Sequence, residues 1–408
     1  MKWLTRFNPF RAGVSTLSNP DQWLVDAILG GMSTAAGVTV TPLKALGVST
    51  VFACVNRVSQ SVATIPLKLY RSLPGGGRVE ATEHPLYSLL HDSPNPEMTS
   101  GDFRRAVQSH LTLRNNGYAL IVRNGLGQVA ELWPIDYADV LLSRDERTRE
   151  LLYRVQGKPV PASQILHLRS MTVNGVLGLD TVSTGRDTIA LAIALQDNAS
   201  KFFANGSRPG SILEHPGVLG EDAAKRLRES FERLYKGSEN AYKVAVLEEG
   251  LKFVSNRTDN KDSQFLESKK EQALAICQLF GIPPHKVGIL DHATFSNIEH
   301  QNIEYVQDTL LSACSAWEQT LNMKLLTEVE RRTYSFGFVL DGLLRGDIKT
   351  RYEAYAIARN WGWLNADDIR GLENMNPLPD GKGRVYLQPL NMVEAGTKPA
   401  APNFAPPP

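Results

Sequence analysis

Apolar residues recur three or four positions apart in several separate stretches of the chain, and in others they alternate. Val51, Val55, Val58 and Val62 have helical spacing, and that helix must end before the extended segment IPLKLYR, which carries Pro66 at its edge. A second helix is predicted to start near Thr99 and Ser100, to bury Phe103, Val107 and Leu111, and to stop at Gly117. Tyr118, Leu120 and Val122 then alternate, and Asn124-Gly125 predicts a tight turn built on positive φ angles, leading into the strand QVAELWP. Short strands are also expected over LLYRV and QILHLRS, so the part from Val48 to Thr181 reads as mixed α and β.

Beyond it the periods lengthen. A helix from Ser183 to about Asn205 is predicted to start at a Thr184–Asp187 box. It carries two apolar stripes, one through Ile189 and Ile193 and one through Leu191 and Leu195, so it needs two different neighbours. Residues 207–260 are compact and charged, with a helix over Glu221 to Tyr235, the strands YKVAVLE and LKFVSNR, and basic and acidic side chains in balance. Its mixed charge reads equally as a solvated face or as a docking surface. A further helix runs from Ser263 to a stop at Gly281, with Phe265, Leu266, Ala273, Ile276, Cys277 and Phe280 on one arc. Pro283 and Pro284 follow and cannot continue it; after a loop, Ser296-x-x-Glu299 opens a longer helix. That helix carries a seam of Ile303, Val306, Leu310, Ala313, Trp317, Leu321 and Leu325. Two short helices joined at Gly362 close the ordered part, with Asn365 as cap for the second.

Composition changes the picture little. The 408 residues are 42% hydrophobic and 21% charged, enough for two or three packed units. A net charge of +1, from 44 basic and 43 acidic residues, argues against a tight, static grip on nucleic acid, because each neutralised phosphate needs Lys or Arg. Three cysteines (Cys54, Cys277, Cys314), each in an apolar helical pattern and without a C-x-x-C pair, read as buried structural thiols. No apolar run is long enough to cross a membrane, and the N-terminus lacks the core of a signal peptide.

Chemistry is sparse. The nucleotide, metalloprotease and serine-hydrolase signatures are all absent, and the turn at Pro74-Gly75-Gly76-Gly77 has no following Lys-Ser/Thr to cradle phosphate. His292 and His300 with Glu299 and Glu304 read as a solvated surface set, and Arg345-Gly346-Asp347 as a chance triplet with Asp347 as a cap. No cofactor, metal or catalytic residue is expected.

The segments VFACVNRVSQSVATIPLKLY, HPLYSLLHDSPNPEMTS, GYALIVRNGLGQVAELWPI, SKFFANGSRPGSIL, ESKKEQALAICQLFGIPPHKVGI and GLLRGDIKTRYEAYAIARNWGWLNADDIRGLENMNPLP, in this order, resemble the portal proteins of long-tailed bacteriophages. The resemblance spans about Val48 to Leu390 and implies an α+β portal fold: a mixed α/β wing, a two-helix stem, a small α/β clip and a helical crown. The boundaries it implies are a flexible arm (1–47), wing (48–182), stem helix (183–206), clip (207–260) and second stem helix (261–281). Then come a tunnel loop (282–297), a long wing helix (298–330), a crown (331–390) and a disordered Pro/Ala-rich tail (391–408). It further implies a homo-oligomeric ring, usually of twelve subunits, at one capsid vertex of a virion assembled in the host cytoplasm. Double-stranded DNA would pass through it non-specifically during packaging and ejection. The implied partners are the large terminase of the packaging motor, the head–tail connector, and capsid and scaffold proteins, with no membrane. His285, Lys286 and His292 are the expected channel-loop residues, and Lys225, Arg228, Glu229, Glu232 and Arg233 the expected docking residues. The competing readings are a packaging-motor subunit, against which the missing Walker A sequence argues, and a monomeric interaction adaptor.

Overall fold

The computed structural model describes residues 34–145, 147–148, 150–204, 212–235, 252–254, 261–290, 301–340, 348–373 and 375–387. They form two compact units, divided between Val339 and Leu340.

The first unit begins earlier than the expected end of the arm. Helix α1 (Pro42–Leu46) is capped by the Thr41 hydroxyl, which accepts from the Lys44 N–H, and Ala45 is fully buried. Helix α2 (Ser49–Thr64) buries Val51, Cys54, Val55, Val58 and Val62, the stripe that its spacing predicts. It stops at Ile65, whose extended backbone (ψ 126°) is what a following proline imposes. Strands β1 (Leu67–Ser72) and β2 (Arg78–Glu80) pair across the Pro-Gly turn. After α3 (Pro85–His91), helix α4 (Ser100–Arg114) starts at Thr99, whose hydroxyl oxygen accepts from the Asp102 N–H.

Two local expectations fail here for identifiable reasons. Helix α4 ends at Asn115, in the left-handed conformation (φ 54°), and not at Gly117. Gly117 instead lies at the second position of β3 (Asn116–Arg123), where an added Cβ would lie 2.8 Å from the Val107 carbonyl oxygen, so the strand crosses its helix too closely for any side chain. The hairpin to β4 (Val129–Ile135) exists, but its left-handed residue is Gly127 (φ 78°) and Gly125 has no positive φ. The Asn124 side chain accepts from the N–H groups of Leu126 and Gln128, which shapes a longer loop than the tight turn expected of Asn-Gly.

Strands β5 (Val140–Arg144), β6 (Leu151–Val155) and β7 (Lys158–Val160) form an antiparallel meander, and β8 (Ile165–Arg169) returns to pair with β3. Asp180, not Thr184, caps the next helix: its Oδ1 accepts from Val182 and Ser183 N–H at 2.9 and 3.1 Å. That helix, α5 (Thr181–Thr184), breaks at Gly185, where a Cβ would sit 2.1 Å from Leu279. Helix α6 (Arg186–Ala204) then sets off separately. Strand β9 (Ile212–Glu214), helix α7 (Glu221–Tyr235) and strand β10 (Lys252–Val254) follow, with β9 and β10 antiparallel and Lys252 opposite Glu214. YKVAVLE lies outside the described residues, as do the Ser296–Glu299 box and the His292/His300 pair.

Helix α8 (Lys261–Phe280) packs beside α6, but only their near ends are well covered. Ile276 and Cys277 are buried, whereas Leu266, expected on the same arc, is 66% exposed. The long helix is not uniform. It is α-helical at 301–304, takes one π-helical stretch at Tyr305–Leu310, and continues as α9 (Leu311–Leu325). Strand β11 (Tyr334–Phe338) pairs with β1, from Leu67↔Phe338 to Arg71↔Tyr334. Residues 334–338, expected with the crown, therefore belong to the first unit.

The core lies where α2, α4 and α9 meet the sheet β4-β3-β8 and the sheet β11-β1-β2. Trp317 is fully buried, donates from Nε1 to Gln108 Oε1 at 2.8 Å, and meets Phe103 edge-on at 6.1 Å. Arg104 is buried with no carboxylate partner among the described residues; it donates to the carbonyls of Ser100, Val62 and Ile65. Burial lowers its pKa to about 10, and its charge lies against the carboxyl end of α2, where a helix favours cations. His167 hydrogen-bonds Tyr153 and Asn116, each at 3.1 Å, and burial pushes its pKa down to about 3, so the imidazole is neutral.

The second unit contains α10 (Ile348–Asn360) and α11 (Ala366–Leu372). As the sequence predicts, the chain turns at Gly362 (φ 72°), and Asn365 closes a reciprocal capping box with Asp368. The Arg345-Gly346-Asp347 triplet lies outside the described residues.

Candidate functional site

The end of α8 is built by a six-residue cap. Gly281 takes a left-handed φ of 62°, and the Ile282 N–H reaches back to the Cys277 carbonyl at 2.9 Å. The Gly281 carbonyl accepts from the Thr309 hydroxyl at 2.8 Å, which ties the cap to the π-helical stretch. Ile282 is buried, and Pro284–Val287 make one tight turn that ends at Gly288 (φ 87°). The sequence thus builds a stiff base at the entry to the loop.

Two of the three expected loop residues lie in this base. Lys286 Nζ hydrogen-bonds Asn302 Oδ1 and sits 5.0 Å from the Tyr305 ring centroid, while its carbonyl accepts from Arg57 Nε at 3.2 Å. Burial, followed by the Arg57 charge, holds the ammonium below its usual pKa. Tyr305 in turn meets the Ser61 hydroxyl at 3.1 Å. His285 is half-buried, and its Nε2 has no hydrogen-bond partner among the described residues. Burial first and Lys286 second push its pKa below the usual histidine range, favouring the neutral ring. His292 lies outside the described residues.

The structure therefore turns Lys286 back onto its own helices, where it braces the loop base. The bracing partners Arg57, Asn302, Tyr305 and Thr309 went unread in the sequence. Their contacts with the loop base span 16 to 229 residues of chain, and no local pattern marks them. One signal was present: Tyr305 interrupts the period of the apolar seam beside Val306, the point where the helix takes up its extra residue.

The expected docking residues stand apart, on α7. Lys225, Arg228 and Glu229 are exposed, and Glu232 and Arg233 continue the helix. Glu221 and Asp222 occupy its first turn, where the helix dipole favours acids. The two sets of candidate residues are thus carried by separate elements.

A groove of about 410 Å³ opens beside the loop base, between α4, the Ser170–Thr184 segment, the end of α8 and the π-helical stretch. Asp308 is the one carboxylate among the described residues that line it. No group of three or more potential metal ligands gathers among the described residues. No helix among them is long and apolar enough to cross a membrane.

The described residues of the first unit thus form a mixed α+β architecture in which a braced loop base joins the end of α8 to the π-helical stretch. Known proteins share this fold. The family model described as phage portal protein matches residues 49–374. The probable portal protein of Streptomyces phage phiC31 is 34% identical over 387 residues, covering 90% of this chain and 83% of that protein. The portal protein of Enterobacteria phage HK97 is 29% identical over 389 residues, with 93% and 90% covered. Among solved structures, an HK97 family phage portal protein from Corynebacterium diphtheriae superposes with a TM-score of 0.56 at 17% identity, covering 75% of this chain and 98% of that one. A chain from the neck of a native GTA particle computed with C12 symmetry gives 0.54 at 21% identity, with 81% and 91% covered. The chain belongs to the phage portal protein family, whose members are structural proteins of phage virions.

Proposed function

We propose that this protein is the subunit of a ring-shaped channel at one vertex of a phage capsid, through which DNA is packaged and ejected. The match over residues 49–374 carries this reading. In it, residues 48–182 are the wing, 183–206 and 261–281 the stem, 207–260 the clip, 282–297 the tunnel loop, 298–330 the long wing helix, and the helices after Val339 the crown. The ring has twelve copies and catalyses no reaction; hydrolysis of nucleotide belongs to a separate terminase. Lys225, Arg228, Glu229, Glu232 and Arg233 dock that motor, and later the head–tail connector.

The bracing of Lys286 supports a sliding channel. A polyanion that must move both ways is slowed by every strong phosphate contact, and an ammonium already held by Asn302 and Tyr305 is a weak brake. His285 and His292 complete the loop's share of the lining.

Light scattering of the purified protein together with electron micrographs tests the ring. Closed rings of twelve with a central hole are expected; a monomer that persists with capsid and scaffold proteins present would refute the channel. Exchanging charge on α7, with Arg228→Glu and Glu232→Arg, is expected to abolish packaging while rings still form.

A further inference from the structure

We propose that the second unit carries a polyproline-reading surface, and that the stretch Pro399–Pro408 of the same chain docks on it. The surface lies at the turn between α10 and α11, where Trp361 and Trp363 flank Gly362. Ile357 stands one helical turn before Trp361, and its carbonyl accepts the Trp361 N–H. Residues 385–387 return to this turn. An added Cβ on Gly362 would lie 2.7 Å from the Leu387 carbonyl oxygen, and the Tyr386 hydroxyl is 3.4 Å from Asp368 Oδ2 at the start of α11. Ile357, Trp361, Trp363, Tyr386 and Leu387 are each 44% to 70% exposed. Five large apolar side chains around one turn, none of them buried among the described residues, mark a binding surface.

The stretch after Leu387 matches that surface in chemistry and in reach. Residues 397–408 read TKPAAPNFAPPP. A polyproline II helix has three residues per turn, so Pro399, Pro402 and Pro408 fall on one face, with successive turns about 9 Å apart. Proline rings on such a face stack on aromatic side chains, and the backbone arrives already extended, so docking orders little that was free. Its carbonyls have no internal partner, and the indole N–H of Trp361 or Trp363 can donate to one. The tether selects this occupant. Leu387, the last described residue, already sits at the Gly362 turn, and only residues 388–398 separate it from Pro399. Fully extended, that connection reaches about 40 Å. The prolines therefore stay near the aromatic turn, at an effective concentration in the millimolar range. Docking covers aromatic surface that would otherwise take up unrelated apolar chains. It occurs within a single chain and does not depend on ring formation.

The test uses the full chain. Hydroxyl-radical footprinting, read by peptide mass spectrometry, compares it with a variant carrying Pro399→Gly and Pro402→Gly, which changes no described residue. Trp361, Trp363 and Tyr386 should be oxidised severalfold faster in the variant, while the buried Trp317 keeps its rate. A photoreactive benzoylphenylalanine placed at Ala401, in a mixture of light and isotopically heavy chains, should crosslink to peptides carrying 357–363 or 385–387 of its own chain. Trp361→Ala with Trp363→Ala should lose that crosslink; if this variant fails to fold, the proline variant decides alone. Equal oxidation rates with and without the two prolines, crosslinks between light and heavy chains, or crosslinks to the first unit would each overturn the proposal.

Discussion

The hub formed by α2, α4 and α9 and the outer parts of α6 and α8 are built from similar apolar helical patterns, yet they end up very differently covered. In the hub, Trp317, Phe103, Val51 and Cys54 are wholly excluded from solvent. On the paired helices, Leu191 is 46% and Leu266 66% exposed, although both lie on predicted apolar stripes. Apolar periodicity shows that a face will be covered, without showing which chain covers it. The hub satisfies its own pattern, whereas Leu191 and Leu266 remain open to solvent among the described residues.

Mutations can break this contrast at the hub and sharpen it at the helices. Trp317→Ala should cost most, about 3–5 kcal/mol of unfolding free energy by denaturant titration, because it opens a cavity and strands Gln108. Arg104→Met should cost about 2–3 kcal/mol, since the carbonyls of Val62 and Ile65 lose their donor. His167 gives the hub a pH dependence. Its pKa is about 3 folded and near 6.5 unfolded, so between these values only the unfolded chain takes up the proton. Stability should therefore fall as pH drops below about 6.5, by at most about 1.4 kcal/mol per pH unit, and level off near pH 3. His167→Gln should flatten that slope in acid-unfolding curves. The smallest effect should come from Leu191→Ser with Leu266→Ser, within about 0.5 kcal/mol per site for the isolated chain. The same pair should reduce the yield of rings in micrographs. A large stability loss there would show that the helices are covered within one subunit after all.

What was legible in the sequence follows the range of the interaction. Helix α7, strand β6 and the Asn365 cap stand where the local pattern puts them, because a few neighbouring residues decide each one. The errors arise where distant parts of the chain intervene. Gly117 is a glycine because of the Val107 backbone carbonyl, which is not a sequence neighbour. Strand β11 is drawn to β1 across more than half of the chain. For the candidate site, the stop at Gly281 and the Pro-Pro stiffening were readable, whereas the engagement of Lys286 was not. A lysine in a loop looks free until Asn302 and Tyr305 are brought to it.

The π-helical stretch at Tyr305–Leu310 has a consequence for how members of such a family can diverge. One surplus residue is stored there, between a seam that must keep its phase against Gln108 and a segment that carries the loop. Removing one residue, such as the exposed Gln307, would restore a regular α-helix there and leave both residues 301–304 and Trp317 close to their present phase. The stretch works as a slack turn, absorbing a single insertion or deletion without re-aiming the loop in front of it or disturbing the wall behind it.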